Sequence, residues 1–406
     1  MNLKSLSVDG ERLQTSIEES AKIGKTANNG LLRLAISDED KIMRDLLVKW
    51  LKECGCEIVI DEIGNIFGIR RGLKPDLGAI LSGSHLDTQN PDGKFNGILG
   101  TLGALEVLRT INDYDIKLER DLIIADWTNS EGAWFSPGCL GAGLWAGRHS
   151  LENAYNQRDR DGKTILGREL ERTNYKGSFP ASYTKWNIFA AYELHIEKTT
   201  FLKNNNKQIG IPTETTALRW YKVWLEGISN HAGSLPMSER KDPLLAFSKM
   251  NLTAYNVAME SDDILCTIGE VQAFPNSCNT TAESVQFKVD IRSFSETNAL
   301  NFWETIKNEF SKIAKEYGCR IKTEESWELP KTSFSDNLRQ IIFDTSKELG
   351  FSSAEFPLSS GYDMSEISRV TDGAMILVPS EDDDTTYKEC EAGANVLLHS
   401  ILKTGK

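Results

Sequence analysis

The chain has 406 residues and a formal net charge of -13, with 40% hydrophobic and 26% charged residues. At roughly 100–200 residues per domain this length suggests two domains. The acidic balance argues against nucleic acid or an anionic membrane surface as the main partner. Seven scattered cysteines, with Cys54 and Cys56 one glycine apart, match neither a zinc motif nor a redox motif. No apolar run approaches the roughly 18 residues of a membrane span, and the first residues lack the apolar core of a signal peptide. The expectation is a cytoplasmic protein.

Residues 38–54 open with acidic residues behind Ser37 and then place Ile42, Leu46, Leu47 and Leu51 at helical spacing. Residues 56–72 read as two strands joined by a turn. Residues 78–88 (GAILSGSHLDT) read as a short apolar strand ending in a polar loop. Residues 97–111 read as a helix packed through small residues, and 121–132 as a second strand with a polar end. Such alternation predicts an α/β layer with a largely parallel sheet and a site at the carboxyl ends of its strands. Beyond residue 212 the pattern changes. Residues 217–233 alternate like a strand, 242–259 read as helical, and two strands and a long helix follow. After about residue 331 the α/β pattern returns, with a strand at 375–380 and a closing helix at 390–402. The prediction is a discontinuous catalytic domain, 1–212 and 330–406, with an α+β domain inserted at 213–329.

Four polar positions follow one another at the ends of these strands: His85, Asn96, Glu131 and His195. Imidazole is a good zinc ligand once its second nitrogen is fixed. Asp87, two residues beyond His85, is expected to do this, because alternate strand residues share a face.

These motifs and their flanks (GSHLDT, GILGTLGALEVL, NSEGAWFSPGCLGAGLWAG, ELHIE, PNSCNTTAESVQFKVDIRS) resemble the M20 metallopeptidase family, in its amidase/hydantoinase/carbamoylase branch. The resemblance spans nearly the whole chain. It implies a two-domain α/β fold with an inserted dimerisation (lid) domain, a homodimer formed through that domain, and a small-molecule substrate with a carboxylate. It also implies metal-ligand positions at His85, Asn96, Glu131 and His195. The implied substrate-binding residues are His231, Asn279 and Arg292 of the partner's lid. Arg292 and Asn279 would grip the carboxylate, and His231 would polarise the scissile carbonyl.

The chain departs from the pattern at the metals. Asn96 stands where the family has a bridging Asp, and a carboxamide offers one good oxygen and no charge. Ser130 stands where the family has the general-base Glu. Tyr362 replaces the His of a Gly-His-Asp motif, and Lys198 replaces the Gln of a Glu-Gln-Gly motif. None of the five histidines lies between 232 and 398, so the family's last His ligand is missing. The acidic run 381–384 offers an oxygen ligand or simply a solvated loop. The expected cofactor content is none, or one weakly bound zinc, in place of a full dizinc site.

Three functions remain open. The first is an amidohydrolase with a lost or single metal, acting on a C–N bond of an N-carbamoyl or N-acyl amino-acid-like molecule. The second is a metal-independent enzyme using acid–base chemistry through Lys198, Glu131, Ser130, Tyr362 and His231. The third is a non-catalytic, ligand-binding homologue.

Overall fold

The computed structural model describes residues 6–27, 30–89, 93–159, 161–381 and 383–405. It divides into two compact units. One comprises residues up to Glu214, Ser333–Pro357 and Tyr362–Lys406; the other comprises Thr215–Thr332 with Leu358–Gly361.

The larger unit begins with α1 (Gly10–Ser20) and α2 (Asp38–Glu53). Ser37 caps α2 by accepting the Asp40 N–H, and three acidic residues in its first turn complement the helix dipole. Next come β1 (Glu57–Ile60), β2 (Ile66–Arg70), β3 (Ala79–Ser84), α3 (Ile98–Asp113) and β4 (Leu122–Asp126). Three short helices, α4 (Leu140–Trp145), α5 (Leu151–Tyr155) and α6 (Leu166–Thr173), lead to β5 (Ile188–Ile196), α7 (Phe201–Asn204) and β6 (Ile209–Thr215).

The smaller unit contributes β7 (Ala217–Glu226), α8 (Pro243–Ala258), β8 (Leu265–Phe274), β9 (Ser284–Ser293), α9 (Glu296–Glu316) and β10 (Arg320–Leu329). The chain closes with β11 (Thr332–Ser333), α10 (Asp336–Glu348), β12 (Ser353–Leu358), α11 (Asp363–Ile367), β13 (Gly373–Val378) and α12 (Tyr387–Thr404).

The large sheet runs β1-β2-β4-β3-β5-β13-β6-β11. It is mixed, which corrects the expectation of a largely parallel sheet. The central pairs β4–β3, β3–β5 and β5–β13 are parallel, while β1–β2, β2–β4 and β13–β6 are antiparallel. Of the four parallel strands β3, β4 and β13 are buried along their length and β5 from Ala190 onward; α3 covers β3, β4 and β5, as such strands require. The small residues of α3 set how closely it lies. A Cβ added at Gly100 would sit 2.4 Å from the Leu194 carbonyl oxygen and 2.5 Å from the Ser84 Cβ.

In the smaller unit the antiparallel sheet β10-β7-β9-β8 carries α8 and α9 on one face. Tyr221, Val223, Leu225, Val285, Phe287, Val289 and Ile291 alternate inward, and Tyr221 stacks on Trp303 of α9 with ring centroids 3.8 Å apart. The strand expected over 217–233 stops at Glu226, so His231 lies in the following loop.

Candidate active site

His85 follows β3, Glu131 follows β4 and His195 is the penultimate residue of β5. These neighbouring parallel strands therefore bring their carboxyl ends to one place, the usual position of a site in such a sheet. Asn96 arrives from the loop before α3. Gly97, which starts that helix, has φ +71°, and a side chain there would sit within 2.4 Å of the His85 ring.

Both histidines are held by main-chain atoms. His85 Nδ1 donates to the Asp87 carbonyl at 2.9 Å, leaving Nε2 3.8 Å from Glu131 Oε1. His195 Nδ1 donates to the Ile196 carbonyl at 2.9 Å, and its Nε2 accepts the Gly97 N–H at 3.2 Å. A ring that donates at one nitrogen and accepts at the other is a neutral imidazole. Burial, with the charges of Lys198 and His85, accordingly pushes the His195 pKa well below its ordinary value. His85 shifts the other way. Burial lowers its pKa, but the carboxylates of Asp87 and Glu131 outweigh that and raise it.

Asp87 does not hold the His85 ring in the way expected. Its Oδ1 is 3.7 Å from Nδ1, and its two oxygens accept the N–H groups of Ser130 and Glu131, each at 3.1 Å. The reason is that β3 ends at Ser84, so 85 and 87 no longer alternate on a strand face. Asp87 positions the Glu131 loop instead. Burial raises its pKa to about 6, against the pull of His85.

Glu131 is the hub. Oε1 accepts from Asn96 Nδ2 at 2.9 Å and lies 3.6 Å from Lys198 Nζ. Oε2 accepts from Gln89 Nε2 at 2.9 Å. The buried Tyr362 packs its ring edge-on against His195 with centroids 5.0 Å apart, and burial raises its pKa. Behind the site, Glu193 accepts from Ser84 Oγ at 2.6 Å and from Met364 N at 2.9 Å. Burial raises the pKa of both Glu193 and Asp363. Arg33, fully buried, donates from Nε to the Leu86 carbonyl at 2.8 Å and so fixes the His85 loop.

Sequence reading missed Gln89, Gly97, Glu193 and Arg33. Of these only Gly97 carried a signal, its place after Asn96 at a helix start. Glu197 caps α7, accepting the Phe201 and Leu202 N–H groups at 2.8 and 2.9 Å. In the acidic run, Glu381 pairs with Lys203, and Asp382 lies outside the described residues.

The inserted unit splits its three expected substrate residues. His231 and Asn279 sit together: residue 231 bridges Thr280, and Ala232 N donates to the Asn279 carbonyl at 2.8 Å. His231 follows Glu226 and Asn279 precedes Ser284, so both lie beyond the Glu226↔Ser284 end of the sheet, whereas Arg292 stands at the other end, opposite Leu218. Arg292 lies eight residues beyond Ser284 along β9, roughly 26 Å at about 3.3 Å per residue. One copy of this sheet therefore cannot bring all three to one small molecule. Arg292 donates from Nε and Nη2 to the two oxygens of Asp290, at 2.8 and 2.9 Å, and from Nη1 to the Ser359 carbonyl at 2.9 Å. Trp220 Nε1 donates to the same Asp290 at 2.8 Å.

A strand-end cluster of His, Glu and His on a mixed α/β sheet, with an antiparallel domain inserted, is the architecture of a known hydrolase family. The chain belongs to peptidase family M20/M25/M40, whose model matches residues 81–403. It is 34% identical to an N-carbamoyl-L-amino-acid amidohydrolase of Rhizobium meliloti, over 98% of this chain and 97% of the relative. It is 29% identical to an allantoate amidohydrolase of Bacillus subtilis, over 95% and 96%. Its structure matches a hydantoinase/carbamoylase-family amidase from Burkholderia vietnamiensis with TM-score 0.95 and 35% identity, covering 99% of this chain and 98% of that one. No helix among the described residues is long and apolar enough to cross a membrane.

Proposed function

We propose that this chain is an amidohydrolase-family enzyme acting on a C–N bond of a carboxylate-bearing N-carbamoyl or N-acyl amino-acid-like molecule, in a site without the family's pair of zinc ions. The observation that carries the substrate class is the full-length similarity to an N-carbamoyl-L-amino-acid amidohydrolase. Arg292 is the group for the substrate's carboxylate. Asp290 and Ser359 O take three of its five N–H donors and leave two for a ligand.

The residues present do not fit a zinc pair. Glu131 meets N–H donors at both oxygens, His195 Nε2 is spent on Gly97, and Asn96 turns its amide nitrogen inward. Among the described residues no group of three His, Cys, Asp or Glu side chains is placed to hold a metal ion. Lys198 beside Glu131 favours acid–base chemistry in the same pocket, with these two as the proton-transferring pair and Ser130 and Tyr362 as polar neighbours.

The working form in this reading is a homodimer through the inserted domain. A second copy supplies His231 and Asn279 to a ligand held by Arg292 of the first. The edge strand β8, with Val271 and Phe274 exposed, and the outer face of α8, with Leu252, Tyr255 and Met259 exposed, offer the apolar surface.

Incubation with N-carbamoyl-L-amino acids and with allantoate, with ammonia and amine release measured, tests the activity. Release from one of these that Arg292→Ala abolishes is expected. Turnover unaffected by Arg292→Ala would remove the carboxylate assignment.

A further inference from the structure

We infer that Lys198, with the side-chain amides of Asn96 and Gln89, forms a built-in cationic lock on Glu131 that stands in the electrostatic place of a metal ion. This rests on the reading that the site lacks the zinc pair. It adds that the site is closed to metal by what fills it, beyond the ligands it has lost.

A zinc ligand must turn a free lone pair toward the cation, and a catalytic zinc takes three such protein ligands. Glu131 Oε1 already receives the Asn96 amide at 2.9 Å and faces Lys198 Nζ at 3.6 Å and His85 Nε2 at 3.8 Å. Its Oε2 receives Gln89 at 2.9 Å. The positive ends of these dipoles and the ammonium charge converge where a dication would bind. Lys198 and Glu131 sum to zero charge, so the pair offers a dication no net attraction. Toward Glu131, Asn96 presents its amide nitrogen and not its oxygen, so on that side it offers a metal an N–H in place of a lone pair. Lys198 reaches the site because β5 ends at Ile196, and its side chain is 29% exposed, enough to keep the ammonium partly solvated while it faces a carboxylate that is 8% exposed.

The test is zinc titration by calorimetry, with thermal unfolding with and without zinc, on the full-length protein. The variants are Asn96→Asp and Asn96→Asp/Lys198→Gln. The first restores a carboxylate ligand at the cost of one amide of the lock but keeps the ammonium, and the second also removes the ammonium. Removing Lys198 is expected to tighten zinc binding by at least roughly tenfold and to make the unfolding midpoint rise with zinc. Equal affinity in the two variants would overturn the inference while leaving a zinc-poor parent protein intact. Two tightly bound zincs in the parent protein would overturn both this inference and the reading beneath it. If the double variant does not fold, Lys198→Met alone is compared with the parent protein: tighter zinc binding supports the lock and unchanged binding refutes it.

Discussion

Asn96 and Glu131, 35 residues apart in sequence, are joined by a hydrogen bond of 2.9 Å from the Asn96 amide to Glu131 Oε1. Lys198 approaches the same oxygen at 3.6 Å. In the proposed reading this pair stands where a two-metal site would have a bridging carboxylate, which without metal would repel Glu131, whereas the carboxamide binds it. Breaking the bond should therefore cost stability in the metal-free protein. Asn96→Asp is expected to lower the unfolding free energy by about 1–3 kcal/mol, the range for stranding a buried polar group beside a like charge. Chemical denaturation without added metal checks this, and a variant as stable as the parent would contradict it.

Asp87 links the His85 and Glu131 loops through two main-chain N–H groups. Hydrogen bonds to a charged acceptor contribute about 1.5–3 kcal/mol each. Asp87→Ala should lower stability by several kcal/mol and abolish turnover by releasing Glu131. Asp87→Asn, which keeps one acceptor oxygen, should lose less. Equal losses in the two variants would show that the carboxylate is not what holds the loop.

Close packing of α3 makes a different prediction. Gly100→Ala would press a methyl against the Leu194 carbonyl and the Ser84 Cβ, and Ser84 in turn holds Glu193. Overpacking against main chain costs about 1–3 kcal/mol or more. Gly103→Ala meets only the end of the Leu194 side chain at 2.8 Å, which can turn aside. Thermal unfolding should rank Gly100→Ala well below Gly103→Ala.

His149 gives the stability a pH dependence outside the site. Burial, with the neighbouring Arg148, lowers its pKa from 6.5 to about 4 in the folded protein. Between those values the unfolded chain binds a proton that the folded one does not. This group's contribution therefore rises with pH, and stability is lost as pH falls from 6.5 toward 4. His149→Gln should flatten the stability profile in that window. An unchanged slope would show that His149 titrates normally.

The elements around the site were readable because each carries its own local signal. Ser37 and the acidic turn mark α2, and continuous apolar runs mark β3 and β4. β10 went unread because its alternation is weak, between exposed and half-buried residues, and breaks from Glu325 on, where a bulge falls between Glu325 and Trp327. The histidines and Glu131 were visible as strand-end residues. Most of their partners were not, because Gln89, Glu193 and Arg33 act through tertiary contacts that no spacing encodes. The exchange of Asp87 from the His85 ring to the Glu131 loop depends on where β3 stops, a boundary that local pattern defines poorly. The separation of Arg292 from Asn279 was latent in the length of β9, yet motif resemblance grouped them as one clamp.

The most direct measurement of the central claim is zinc per subunit, by elemental analysis of protein dialysed against a strong chelator, with turnover of a productive N-carbamoyl substrate followed on the same sample. The account predicts well below one zinc per subunit and full activity, with Lys198→Ala inactive but folded. Activity that chelation removes and two zincs per subunit restore would contradict it.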